Sequence, residues 1–193
     1  MEYSPTTALL VVDVQNDFAQ PAGSLYVLGA EDTIPFINTQ IEAARDAGAM
    51  IVYTQDWHPE STPHFAKDGG IWPVHCVGDT WGSELHPDLL VDGERIRKGT
   101  GGEDGYSGFS VRHPVTGDES STDLERMLRD REVTRVVVVG LATDYCVKET
   151  VIDAIRARFA TTVLTDGIRA VNLEPGDGAR AVAAMAAAGV AIE

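Results

Sequence analysis

The chain has 193 residues, 44% of them hydrophobic, which is enough for one domain built on a sheet buried on both faces and requires no linker. Thirty acidic residues against fifteen basic ones give a net charge of −15, which argues against a nucleic-acid or anionic-membrane surface, and no basic cluster breaks the pattern. Two cysteines, Cys76 and Cys146, are too few for a disulfide framework. The opening Met1-Glu2-Tyr3-Ser4-Pro5 lacks the basic start of a secretory signal and no apolar run is long enough to span a bilayer, so the expectation is a cytoplasmic protein with both thiols reduced.

In chain order, the apolar run from Ala8 to Val14 predicts a first strand. A helical pattern follows from about Ile34 to Ala47, with Gly48 placed as its C-terminal cap, and Ala49 to Thr54 predicts the second strand. That is a βαβ unit, and near-continuous apolar strands suit a parallel sheet covered on both faces. Between Asp56 and Asp92 no regular pattern emerges; the stretch gathers prolines, histidines and tryptophans beyond what a connection needs, and reads as site-forming. Further strands are predicted at Glu94 to Arg97, Arg135 to Val139 and Thr161 to Leu164, with Gly189 to Ile192 at an edge. Helices are predicted at Ser121 to Arg131, at about Asp144 to Phe159, and over the alanine-rich Asp177 to Ala188.

Open α/β sheets bind ligands outside the carboxyl ends of their strands, and here the polar residues concentrate there. The first strand runs out into Asp13-Val14-Gln15-Asn16-Asp17-Phe18, the second into Gln55-Asp56-Trp57-His58, the third into Arg97-Lys98-Gly99 and the fourth into Gly140-Leu141-Ala142-Thr143-Asp144-Tyr145-Cys146-Val147. Cys146 falls in the first turn of its helix, where unpaired amides and the helix dipole are expected to lower a thiol pKa. Alone it reads as a packing cysteine, Asp13 as a cap and Lys98 as a solvated strand end. Together they form a nucleophilic set: carboxylate as proton acceptor, ammonium as electrostatic support, thiol as attacker.

A second constellation is Asp56-x-His58, whose side chains face the same way in extended chain. A folded loop returning His75, with His64 an open further position, would give an oxygen and nitrogen shell suited to Zn, Mn or Fe(II). Cys76 is assigned to packing, and His86 and His113 to polar surface. Two other motifs are set aside. The glycine-rich run Gly99 to Gly108 resembles a phosphate loop but carries Asp104 at the last glycine position and no Walker lysine, so it reads as a flexible loop. Ser107 misses the hydrolase elbow because Phe109 stands where glycine is required.

In this order the segments Asp13 to Phe18, Asp56-Trp57-His58-Pro59, Trp72 to Val77, Glu84-Leu85-His86-Pro87, Arg97-Lys98-Gly99, Tyr106 to Phe109 and Gly140 to Val147 cover nearly the whole chain. It resembles the nicotinamidase/pyrazinamidase branch of the isochorismatase-like cysteine hydrolases. The resemblance implies a three-layer αβα fold with a parallel sheet of about six strands, a catalytic triad of Asp13, Lys98 and Cys146, and an oxyanion hole from the backbone N–H groups of Ala142 and Cys146. It implies a divalent metal ion (Zn, Mn or Fe) on Asp56, His58 and His75, with His64 as a candidate fourth ligand. It also implies a slot for a pyridine or pyrazine ring lined by Phe18, Trp72 and Tyr106, and a cis peptide between Ala142 and Thr143. Tyr145 stands where some family members carry histidine, a departure expected to trim substrate size.

The activity implied is hydrolysis of a small-molecule amide, nicotinamide and also pyrazinamide, through a thioester, with no nucleic-acid or membrane partner and with a homo-oligomer left open. The alternatives are a sister amidase acting on a carbamoyl or ureido group, whose pattern lacks the metal set, and a catalytically silent binding protein of the same fold.

Overall fold

The computed structural model describes residues 1–193. Its first strand, β1 (Thr7–Val12), has every side chain buried and leads into a short helical turn, α1 (Asn16–Ala19). Helix α2 (Ile34–Asp46) then carries Ile34, Ile37, Ile41 and Ala44 on one buried face, the i, i+3, i+7 spacing of an amphipathic helix, and returns the chain to β2 (Met50–Asp56). After a long loop come β3 (Glu94–Lys98), a hairpin of β4 (Ser110–Arg112) and β5 (Glu119–Ser121), α3 (Leu124–Asp130) and β6 (Arg135–Leu141). The chain finishes with α4 (Lys148–Arg156), β7 (Ala160–Arg169), α5 (Asp177–Ala187) and β8 (Ala191–Ile192).

Six strands form one parallel sheet in the order β3-β2-β1-β6-β7-β8, with helices on both faces. The two-residue period of β1 divides the core between the faces. Leu9 and Val11 join Ile34, Ile37 and Ile41 of α2, whereas Ala8, Leu10 and Val12 join Val147 and Val151, α3 residues Leu124 and Leu128, and Met185 of α5. Each of the larger of these side chains (Val, Leu, Ile, Met), fully buried, contributes about 1.5–3 kcal/mol relative to exposure, so both faces anchor the central strands. Parallel pairing also aligns the strand ends: Val12 sits opposite Thr54 and Gly140, and Asp56 opposite Lys98. Gly140 has φ 114°, and a side chain there would run into the Val12 backbone. The two central strands can therefore approach closely at the rim, where β1 and β6 deliver Asp13 and the turn that carries Cys146.

The expected fold class holds, with differences at the element ends. The predicted helix from Ser121 begins only at Leu124, because Ser121 pairs with Ser110 in the hairpin. The predicted strand ending at Leu164 runs on to Arg169: its register against β6 shifts after Val138, and exposed Thr165 and Asp166 occupy the irregular stretch that had broken the apolar pattern. No helix is long and apolar enough to cross a membrane.

Candidate active site

Asp13, Lys98 and Cys146, from three different strand ends, meet at the carboxyl rim of the sheet, each buried. The Lys98 ammonium donates to Asp13 Oδ2 at 2.7 Å and to Asp56 Oδ1 and the Gly105 carbonyl, and lies 3.8 Å from Cys146 Sγ. The thiol and carboxylate oxygens of Asp13 and Asp56 lie within 4.8 Å of one another. Lys98 is thus a fully buried cation between two carboxylates, not a solvated strand end. Burial works against its charge, yet Asp13, Asp56 and Cys146 outweigh that and hold its pKa well above the ordinary lysine value. Asp13 has φ 50°, its Oδ1 accepts from the Thr54 hydroxyl at 2.6 Å, and burial raises its pKa to about 6 against the lowering pull of Lys98.

The turn that carries Cys146 differs from the expected first turn of an α-helix. Residues Thr143–Val147 form a π-helical turn, closed by Val147 N–H donating to the Ala142 carbonyl at 3.1 Å, before α4 begins. Such wide turns recur at functional sites because they displace one residue from the regular ladder. The expected depression of the thiol pKa is also overturned. Burial pushes Cys146 well above the ordinary thiol value, Asp13 and Asp56 add to the rise, and Lys98 only partly offsets them. The cis peptide is Leu141–Ala142, not Ala142–Thr143. The bond follows Leu141, the last residue of β6 paired with β7, and Ala142 caps the turn in an extended conformation (φ −98°, ψ 149°).

On the far side of Asp56, the rings of His58, His64 and His75 converge, each offering a nitrogen within 4.8 Å of the others. Asp56 Oδ2 lies 3.8 Å from His58 Nε2 and 3.9 Å from His75 Nε2, so one carboxylate spans the lysine and the histidines. Burial alone would raise Asp56; the Lys98 charge and the two histidines prevail and hold it below the usual carboxylate range. His75 donates from Nδ1 to the Pro73 carbonyl at 2.8 Å, and burial lowers its pKa to about 4, leaving a neutral ring with a free Nε2 lone pair. His58 is almost completely buried, and neither of its ring nitrogens has a hydrogen-bond partner. A buried polar atom without a partner is costly, and an imidazole beside two others and a carboxylate is a donor set that fits a divalent ion. His64, the open position of the sequence reading, lies in the same cluster. Cys76 is buried with its Sγ 3.8 Å from the Gly82 carbonyl, and burial drives its pKa well up, so it packs, as expected. His86 is not the surface residue expected: it is buried, and its Nδ1 accepts from the Asp88 backbone at 3.1 Å.

Above Cys146 and His75 lies a mostly apolar slot with Phe18, Trp72, Tyr106 and Tyr145 in its walls. Trp72 donates from its indole nitrogen to the Tyr106 hydroxyl at 2.8 Å and stands edge-on to Tyr145, ring centres 4.8 Å apart. The slot is narrow, with about 30 Å³ of free volume. A polar opening of about 340 Å³ beside Arg112, Lys148 and Arg156 is larger, but it borders neither the thiol nor the histidines, so chemistry rather than size selects the slot.

The isochorismatase domain family matches residues 7–192 of the chain. The chain belongs to the isochorismatase family. Within it, the chain is similar to the nicotinamidase of Escherichia coli K12, at 38% identity over 97% of this chain and 94% of the relative. A pyrazinamidase of Pyrococcus horikoshii, solved in complex with zinc, superposes with a TM-score of 0.86 at 39% identity, covering 98% of this chain and 99% of that one. PnC1 from L. infantum, solved in complex with nicotinate, gives a TM-score of 0.89 at 35% identity, covering 100% and 95%.

Several residues at this isochorismatase-family rim escaped the sequence reading. Gln15 grips the Asp56 backbone from both sides, accepting from its N–H at 2.8 Å and donating to its carbonyl at 2.8 Å. Asp144 accepts from the backbone of Val171 at 2.9 Å and of Asn172 at 2.8 Å, tying the Thr143–Val147 turn to the segment after β7. The run from Gly99 to Gly108, expected to be a flexible loop, is part of the site: Gly105 accepts from Lys98, and Gly99, at φ 78°, lets the backbone pass the His58 ring so closely that a Cβ would lie 2.6 Å from Cε1. Gln15 and Asp144 sit inside the quoted motifs, which was the available signal. The ends of the glycine run lie in the quoted segments too, but its close approach to the His58 ring, some forty residues earlier in the chain, left no mark on the pattern.

Proposed function

We propose that this chain hydrolyses nicotinamide to nicotinate and ammonia, with pyrazinamide as a second substrate, through a thioester on Cys146. The chain is an amidohydrolase of the nicotinamidase/pyrazinamidase branch; the relatives' names and the nicotinate held by the L. infantum neighbour support the substrate class. The observation that carries the reading is the buried Cys146–Lys98–Asp13 contact beneath an aromatic slot that also opens onto the histidine cluster.

Because Cys146 is held as a thiol, its proton leaves as it attacks. Asp13 takes that proton while sulfur adds to the carboxamide carbon, and the carbonyl electron pair moves onto oxygen. The N–H groups of Ala142 and Cys146 are assigned to that oxyanion, a contact worth roughly 2.7–4 kcal/mol per donor. Lys98 offsets the negative charge shared by Asp13 and sulfur. Asp13 then gives its proton to the departing nitrogen as the C–N bond breaks, releasing ammonia. It next takes a proton from water, whose oxygen adds to the thioester, and as the C–S bond breaks Asp13 returns that proton to sulfur, restoring the thiol and its own carboxylate. Phe18, Trp72, Tyr106 and Tyr145 supply the aromatic walls against which a flat heteroaromatic ring would lie. A divalent ion held by Asp56, His58, His64 and His75 would supply, when bound, a ligand position for the nitrogen of a pyridine or pyrazine ring.

Ammonia release from nicotinamide, pyrazinamide and N-carbamoylsarcosine tests the reading. Turnover of the first two and none of the third is expected; turnover of the third alone would assign the chain to the sister amidases.

A further inference from the structure

We propose that Asp104 is the positioning residue of the histidine cluster, its carboxylate fixing the ring of His64 so that the nitrogen left free serves the metal. The proposal rests on the metal reading above and extends it to a residue outside the ligand set.

Asp104 Oδ1 lies 2.7 Å from His64 Nδ1. An ionised carboxylate only accepts hydrogen bonds, so Nδ1 carries the ring proton and Nε2 keeps its lone pair. The same logic fixes His75, whose Nδ1 donates to the Pro73 carbonyl, also an acceptor only. Two of the three histidines therefore have their tautomer and ring direction imposed from behind. The His64 ring is in turn stacked on that of His58, centres 4.7 Å apart and 22° from parallel, so its rotation is restricted on the face as well as at the edge.

Asp104 is itself held. Its N–H donates to the Arg112 carbonyl at 2.7 Å, its carbonyl accepts from Arg112 N–H at 3.0 Å, and the Arg112 guanidinium stands 3.5 Å from Oδ2. The Thr62 hydroxyl donates to the Gly102 carbonyl at 2.6 Å and its oxygen accepts from His64 N–H at 3.2 Å, tying the loop that carries Asp104 to the segment that carries His64. Two residues beyond Asp104, Tyr106 enters the slot wall. A carboxylate behind a histidine ligand orients the ring and raises its basicity, and loss of such a partner typically weakens metal binding by about 10–100-fold.

The test is zinc affinity of the metal-stripped full chain, measured by competition with a chromophoric chelator, with far-UV circular dichroism and thermal unfolding of each variant as the fold control. Asp104→Ala is expected to weaken zinc binding by about 10–100-fold. Asp104→Asn, which can still accept from Nδ1 but carries no charge, should fall between it and the wild type, and serves as the test should the alanine variant fail to fold. If Asp104 acts through His64, adding Asp104→Ala to His64→Ala should bring no further loss. An unchanged affinity in Asp104→Ala, with His58→Ala losing zinc, would overturn the role of Asp104 and leave the metal reading standing, as would an equal loss in the presence and absence of His64. A wild type that binds no zinc would overturn both.

Discussion

Asp13 carries the proton at every step of the proposed chemistry, and burial is what suits it to that work. Raised to about 6 by desolvation, it accepts a proton more readily than an exposed carboxylate and still surrenders it to a leaving amine. The groups facing it are the Lys98 ammonium, the Asp56 carboxylate and the Cys146 thiol. Since the ionised form is the proton acceptor, activity is present above that value and lost as pH falls through it. A pH profile of kcat/KM for nicotinamide should therefore drop about tenfold per unit below pH of about 6. A profile flat to pH of about 4 would remove Asp13 from the role. Cys146→Ala should abolish ammonia release while leaving the thermal midpoint near that of the wild type. Asp13→Asn and Lys98→Met should each be nearly as damaging, and the double variant no worse than the singles, because a triad acts as a unit. Initial-rate assays of the four proteins check this.

Among the elements, the strands and their order of function at the rim were legible because the parallel sheet leaves a plain signature: apolar runs of strand length, each ending in polar residues. Asp13, Lys98 and Cys146 could be picked out for that reason, and Asp56-x-His58 by the two-residue period of extended chain. Three things were not legible. The π-helical turn at Thr143–Val147 depends on one backbone bond reaching five residues back, which no side-chain pattern records. The effect of burial on Cys146 outweighs the helix-end argument, and burial depends on the other strands. The glycine run reads as flexible until Lys98 and His58 are seen packed against it. That last correction has a consequence for the loop itself. Gly99→Ala would place a methyl group against the His58 ring in a left-handed backbone, so it should destabilise the fold by about 1–3 kcal/mol in urea unfolding. A wild-type midpoint in that variant would show the loop to be slack after all.

Across the whole molecule, two chemical sites share one carboxylate. Asp56 reaches Lys98 with one oxygen and the histidines with the other, and Gln15 holds its backbone from the first strand end. The thiol would make and break covalent bonds while the histidine cluster orients the ring, so removing metal should injure substrates that have a ring nitrogen and leave those without one as poor as before. Dialysis against a chelator is expected to reduce nicotinamide hydrolysis sharply, restored by added Zn, Mn or Fe(II), whereas benzamide should be a poor substrate in both forms. Full-rate hydrolysis of nicotinamide by metal-free protein would detach the cluster from catalysis. The comparison also separates this architecture from metal-hydroxide hydrolases, in which benzamide and nicotinamide would lose activity together.

The most direct measurement is of the covalent intermediate. Acid-quenching the wild-type protein during nicotinamide turnover, followed by intact-mass and peptide mass spectrometry, should find a nicotinoyl group on Cys146 and none on Cys76, and no adduct on the Cys146→Ala protein. Turnover that proceeds in Cys146→Ala, or an acyl group found on Cys76 instead, would contradict the account.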